Sequence, residues 1–411
     1  MNVEAKLKRT RPSPASFCLR SRKNRRRMMA AAAAAMPGGQ ARSESGSGSD
    51  NGERSSSPRV LGLGSAGVDF LASVDRYPMA DEKVRTQSLE IMGGGNCGNT
   101  MSAASRLGLN ACIATKVGSD ANGRLILEGL RAEGVDVSRV IVSDATPSAF
   151  TYIIVDKEGA TRTCLHTPQT EDILPEEIKP ELLDGVVAVH LDSRHTPAAI
   201  ALAKLANQRD VPVILDAEKD RPFFKDLLPL ADYVICNRSF PQAYTGRDSH
   251  ESAIRQLLHQ GRARMVVTTL GADGCIVVSR EGEQPWQGYQ DYAAPDGCPM
   301  AVKTAVVSDD ANSKASSAET SPGEKDTATP ARYVWASSWP VRSPGVVDTT
   351  GAGDCFMAGL IYGMAHQLGI GRTLALSSLV AARKLSSPGA RKGVPTLAQL
   401  KEEWPGLLTP N

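Results

Sequence analysis

The run Asp348-Thr349-Thr350-Gly351-Ala352-Gly353-Asp354 stands directly before an apolar stretch. Gly351 and Gly353 let the backbone approach an anion closely. A helix that follows them aims unpaired N–H groups and the positive end of its dipole at that anion. Asp354, at the helix start, is either a helix cap or a general base on a hydroxyl that attacks a phosphoryl group. Shape alone favours the cap. A second block, Gly93-Gly94-Gly95-Asn96-Cys97-Gly98-Asn99-Thr100, also opens a helix. Its glycines leave room for a polyol, and Asn96 and Asn99 can donate to and accept from hydroxyls. A plain glycine turn with an Asn cap accounts for the same letters.

Other patterns carry less. Gly62-x-Gly64-x-x-Gly67 and Gly93-x-Gly95-x-x-Gly98 both match the dinucleotide-binding fingerprint. The first runs on to Tyr77–Pro78 without a helix, and the second lacks a clear acidic residue at the end of a following strand. There is no P-loop string. The eight cysteines form no C-x-x-C, and the six histidines form no close metal-binding group. Scattered reduced thiols are the reading, without a disulfide scaffold or structural zinc. Cys355, beside Asp354, reads as a packed thiol rather than a nucleophile.

The elements that must position these residues alternate. Strands are expected at Val60–Gly64, Val84–Met92 and Ala111–Lys116, with helices at Asn99–Leu107 and Gly123–Glu133. Phe150–Asp156 and Arg162–His166 flank turn residues and read as a hairpin. Then come strand Val186–Leu191, helix Ala198–Asn207 and strands Val211–Leu215 and Tyr233–Cys236. Helix Ser252–Gln260, strand Met265–Thr269 and its partner Gly274–Val278 follow. Tyr333–Trp335 is extended, and helices are expected at Cys355–Leu368 and Leu374–Leu385. Such alternation means a parallel sheet covered on both faces.

The chain has 411 residues, enough for one large α/β domain of roughly 300 residues with extensions. Its longest apolar run, Met28 to Met36, is nine residues, far short of the roughly 20 that span a membrane. The net charge of +2 hides an asymmetry: residues 1–43 carry +10, which leaves −8 on the rest. A mildly acidic folded part argues against a nucleic-acid surface. Residues 1–58 read as a disordered leader. Its Arg- and Ser-bearing start resembles a transit peptide, so plastid or cytoplasm is the expected location. Arg22 to Arg27 also fits a basic targeting patch. Residues 296–331, rich in Ser, Ala, Thr and Asp, read as a disordered insertion, and 406–411 as a tail.

Together the motifs resemble the ribokinase/pfkB family of carbohydrate and nucleoside kinases. The resemblance rests on Asp348–Asp354, Gly93–Thr100, the Val60–Pro78 start with Asp69, and Thr269-Leu270-Gly271-Ala272-Asp273-Gly274. It implies a ribokinase-like three-layer αβα sandwich over 59–405, with a mostly parallel central sheet. A small β-sheet lid is implied near 76–92 and 148–167. It implies transfer of the ATP γ-phosphoryl to a sugar hydroxyl, ketohexose or pentose, with a nucleoside or a non-catalytic scaffold as alternatives. Asp354 then matches the catalytic base, and Gly351, Ala352 and Gly353 the anion hole. Asp69, Gly94, Gly95, Asn96 and Asn99 match sugar ligands, and Asn96 points to the ketohexokinase branch. Asn237, Thr269, Gly271 and Gly274 match the nucleotide side. Asp348 and Thr350 match a monovalent-cation site, K⁺ in many members, while Mg²⁺ rides on the ATP phosphates. The chain departs from the family's N-x-x-E, reading Asn237-Arg238-Ser239-Phe240. The lid implies a homodimer contact; no nucleic-acid or membrane partner is expected. Asp192-Ser193-Arg194 and Asp216-Ala217-Glu218 fit either solvated loops or ligands.

Overall fold

A computed structural model describes residues 57–159, 161–280, 298–307, 331–342 and 345–407. The expected leader therefore lies outside the described residues apart from its last two positions, as does most of the tail.

Nine strands make the central sheet, in the order β14-β15-β13-β12-β11-β10-β9-β1-β4. They are β1 Arg59–Leu63, β4 Asn110–Ala114, β9 Val186–Leu191, β10 Val213–Ala217, β11 Tyr233–Asn237, β12 Met265–Thr269, β13 Cys275–Arg280, β14 Val302–Val307 and β15 Ala331–Ala336. From β4 to β12 all neighbours are parallel; β13, β15 and β14 add antiparallel pairs at one edge. The parallel strands read as short β-branched runs without polar alternation, because both faces are covered.

Two cores lie on the two faces. One joins helix α1 (Asn96–Arg106) with the long helices α7 (Ala352–Ala365) and α8 (Ile370–Lys384) through Met101, Leu360, Leu374 and Leu379, with Ile126 of α2 (Ala121–Ala132) alongside. The other packs α3 (Thr196–Gln208) and α6 (His250–His259) through Leu202, Leu257 and Leu258. Short helices α4 (Phe224–Leu227) and α5 (Phe240–Thr245) fill that layer, and α9 (Leu397–Glu403) closes the chain. The expected three-layer sandwich is what forms.

A separate four-stranded sheet, order β3-β2-β7-β8, is the lid: β2 Gly67–Val74, β3 Ser88–Gly94, β7 Phe150–Asp156 and β8 Thr161–Thr167. A third, two-stranded sheet pairs β5 Lys116–Gly118 with β6 Ile141–Ser143. No strand is expected at β2, and Asp69 lies within that lid strand. Residues 296–331 are expected to be structureless throughout. Val302–Val307 is instead an edge strand whose backbone pairs antiparallel along β15; residues 308–330 lie outside the described residues.

Candidate active site

The parallel strands all end at one edge, where open α/β sheets bind ligands. Helix α7 starts there, three residues earlier than the sequence suggested. Gly351 takes the N-cap position with φ 76, a left-handed value that glycine adopts without strain. A Cβ at Gly351 would also lie 2.7 Å from the Ala390 Cβ. Asp354 consequently sits inside the first helical turn and makes no cap hydrogen bond. Its Oδ2 accepts from Asn99 Nδ2 at 2.9 Å. The Ala352 N–H is spent on the Thr349 carbonyl at 3.2 Å. Among the described residues, no acceptor takes the amides of Gly353 or Asp354. The space over Gly353 is open, with nothing within 4 Å of a Cβ built there. Of the implied anion hole, Gly353 therefore offers a free amide, Ala352 does not, and Asp354 adds its own.

Asp354 is enclosed by acids. Burial, then the charges of Asp192 and Glu218, push its pKa up to about 7 against the pull of the Asn99 hydrogen bond and Arg391. Asp216 is held well above the usual carboxylate range, by burial first and then by Asp354, Glu218 and Asp192. The Asn96 side chain hydrogen-bonds Asp216, and its backbone N–H donates to Ser65 Oγ at 3.1 Å. Asn96, which the resemblance matches to a sugar ligand, thus also has partners within the protein.

The Gly93–Gly98 turn is filled by charged side chains. A Cβ at Gly94 would lie 2.5 Å from the Asp69 carboxylate, and one at Gly93 2.2 Å from Arg391 Nη1. Gly95 has φ 85 and abuts the Ala66 backbone. Arg391 is 7% exposed. It donates to Asn99 Oδ1 at 3.0 Å and to the Gly94 carbonyl at 3.0 Å. One buried guanidinium thus ties the acceptor turn to Asn99, and Asn99 holds Asp354. Burial raises Asp69, opposed by its hydrogen bond to Thr151 and by Arg391. Thr151 Oγ1 in turn contacts His166 Nδ1 at 3.2 Å. His166 is held low by burial and then by Arg194, Arg221 and Lys219.

Asp192 is not part of a solvated loop but 2% exposed. It accepts from Ser65 N–H at 2.8 Å, Ser65 Oγ at 2.6 Å and Cys97 N–H at 3.1 Å, locking β9 to the start of α1. Cys355 is buried, and burial pushes its thiol up, as a packed sulfur requires.

On the nucleotide side, Asn237 and Thr269 are register partners at the ends of β11 and β12. The Asn237 Oδ1 accepts from the Ser239 and Phe240 N–H groups at 3.1 and 3.0 Å, so the side chain shapes the turn into α5. Thr269 Oγ1 donates to the Cys236 carbonyl at 3.3 Å. Gly271 and Gly274 have φ 64 and 91 and form the tight turn that follows. At Asp348, one carboxylate oxygen accepts from Thr350 N–H and Oγ1 at 2.9 and 2.7 Å, and the other from Gly389 N–H at 2.8 Å.

Sequence reasoning missed Arg391, Lys384, Arg162 and His166. Gly389-Ala390-Arg391 repeats the small-residue-then-charge pattern of the recognised turns, which was the available signal for Arg391.

The model of the pfkB family of carbohydrate kinases matches residues 58–292 and 337–397. An ATP-dependent ribose-1-phosphate kinase from Halopiger xanaduensis is 32% identical over 241 residues, 56% of this chain and 77% of that one. Bacillus subtilis ribokinase is 26% identical over 83% of this chain and 97% of its own. Arabidopsis thaliana ribokinase, solved with ribose and ATP, superposes with TM-score 0.64, with 20% identity over 86% of this chain and 100% of that one. A Burkholderia thailandensis nucleoside kinase solved with inosine gives 0.60 at 18% identity, over 85% and 98%. These last two show the shared fold.

Proposed function

Because this chain belongs to the pfkB family of carbohydrate kinases, we propose that its acceptor is a pentose, and specifically a pentose that already carries a phosphate. The enzyme is a sugar kinase, transferring a phosphoryl group from ATP to an alcohol. In the proposed step, the acceptor hydroxyl oxygen bonds to the γ-phosphorus as the bond to ADP breaks, and the hydroxyl proton passes to Asp354. The free amides of Gly353 and Asp354, at the positive end of α7, stabilise the charge on the transferring group. Asp69 and Asn99 hold the sugar. Thr269, Gly271 and Gly274 face the nucleotide, while Asn237 shapes its turn. Mg²⁺ serves as the metal of ATP.

The observation that carries the phosphorylated acceptor is the positive charge of Arg194, Arg221 and Lys219 felt at His166, which contacts the Thr151 beside Asp69. Arg194 has no ion-pair partner among the described residues, and a sugar phosphate supplies one. The similarity to a ribose-1-phosphate kinase supports the same reading. A base-stacking nucleoside site is less well supported. Phe70, Phe150 and Tyr152 pack on one another edge-on or tilted, and alternation along β2 and β7 puts them on the face opposite Asp69 and Thr151.

That outer lid face also exposes Leu89, Ile91 and Leu165 beside Tyr152, which supports pairing of two lids in a homodimer. The deciding test of substrate is ADP release with ribose, ribose phosphates, fructose and adenosine, using Asp354→Asn as blank. A phosphopentose should exceed free ribose by at least about 100-fold in kcat/KM. Parity with free ribose overturns the phosphate, and a lead for fructose or adenosine overturns the pentose.

A further inference from the structure

The family resemblance places a monovalent cation at Asp348 and Thr350, and the residues present do not fit one. Such an ion needs several uncommitted oxygens. Here the Asp348 carboxylate is occupied by Thr350, by the Gly389 N–H and by Arg162, whose Nη1 donates at 2.5 Å. Arg162 also bonds the Thr350 hydroxyl. The backbone carbonyl of Asp348 accepts from Lys384 Nζ at 2.6 Å.

Lys384 has 0% exposure and is among the largest fully enclosed side chains of the described residues. A lysine in the last turn of a helix ordinarily serves its own helix's terminal carbonyls. This one reaches instead across to the loop that precedes α7. The helix end and the loop are joined further, because the Leu385 carbonyl accepts from the Val347 and Asp348 N–H groups at 2.8 and 3.2 Å. The ammonium thus sits between the end of α8 and the backbone leading to Gly351, within electrostatic reach of Asp348 and Asp354. A positive charge at that point fixes the loop and offsets negative charge arriving beside it, which are the two services a bound monovalent ion would give.

We propose that the Lys384 ammonium is a tethered replacement for the monovalent cation, so that this kinase works without K⁺. The proposal needs kinase activity but not the pentose assignment. The experiment compares wild type with Lys384→Met in KCl and in choline chloride at equal ionic strength. It uses whichever acceptor the screen identifies, and thermal melting without acceptor as a second readout. Wild-type turnover should agree within about twofold between salts, and its melting temperature should not respond to K⁺ specifically. Lys384→Met should lose at least about tenfold in choline, with its melting temperature newly raised by K⁺. A wild type that gains about tenfold or more from K⁺, or whose melting responds specifically to K⁺, overturns the proposal. So does a folded Lys384→Met that keeps full turnover in choline. Should Lys384→Met fail to fold, the two wild-type comparisons still decide. Failure of every pentose would show in the acceptor screen and leave the melting comparison unaffected.

Discussion

The two glycine-rich turns, Gly93–Gly98 and Gly351–Gly353, open helices at the same sheet edge and look alike as letters. They differ in what lies over them. At the first, the room made by missing Cβ atoms is taken by Arg391 and Asp69. At the second, Gly353 faces open space and free amides. A glycine cluster therefore announces close approach without saying by whom. In the first turn it is the protein's own charge; in the second it is left for a ligand.

Four predictions would break or sharpen that contrast. The largest effect is at Asp354. Asp354→Asn should lower kcat by about a thousandfold or more, as loss of a general base does. Its folded pKa of about 7 exceeds the unfolded value near 4, so the carboxyl's stabilising contribution is complete below pH ~4 and lost as pH rises through 7. The inactive variant should then melt above wild type at pH 8, by an amount on the order of 1–4 kcal/mol, and close to it at pH 5. For the same reason wild-type kcat/KM should fall as pH drops below 7. A flat profile there, or equal melting at pH 8, would remove Asp354 from the role.

Arg391→Met should cost about 3–5 kcal/mol in denaturant unfolding, because it strands Asp69 and Asn99 around a lost buried charge. A mild loss would mean the first turn does not depend on that filling. Gly353→Ala should do the reverse. It should hold or raise stability by about 0.5–1 kcal/mol, since the helix gains a better former and nothing is displaced. Turnover should still fall about tenfold as the methyl enters the phosphoryl path. Unchanged turnover would show that the open space is not used. The smallest effect concerns 308–330: replacing it by Asn-Gly should leave turnover and melting unchanged. Removal of all of 296–331 should destabilise, since it takes β14 and the buried Met300 with it.

Much of this was legible in the letters. The strand–helix rhythm from Val186 to Thr269 falls where expected, because buried parallel strands are short β-branched runs whatever surrounds them. The end of Gly351–Asp354 was misjudged for a local reason: Gly351, not Asp354, takes the cap, so the helix starts earlier and frees the carboxylate. Strand β2 was missed because Tyr77–Pro78 dominates its neighbourhood. The partners of the site were not legible at all. Arg391 meets Gly94 across 297 positions and Lys384 meets Asp348 across 36. A charged letter gives no sign of which carbonyl it will be buried against; only the packing of α8 and the segment after it decides.

One feature of the sheet edge has a practical side. Val307 and Ala331 are paired, so the two chain ends that bracket 308–330 lie side by side. The register also sets Ala331 beside Arg280 at the far end of β13, whereas Ala336 pairs with Cys275 next to the nucleotide turn. That opening faces away from the catalytic edge. Doubling the length of a chain between ends already held together costs only about 0.6 kcal/mol. The corner is accordingly a docking port for protein engineering: a fluorescent reporter or an affinity module spliced there would ride on the kinase without entering its reaction space.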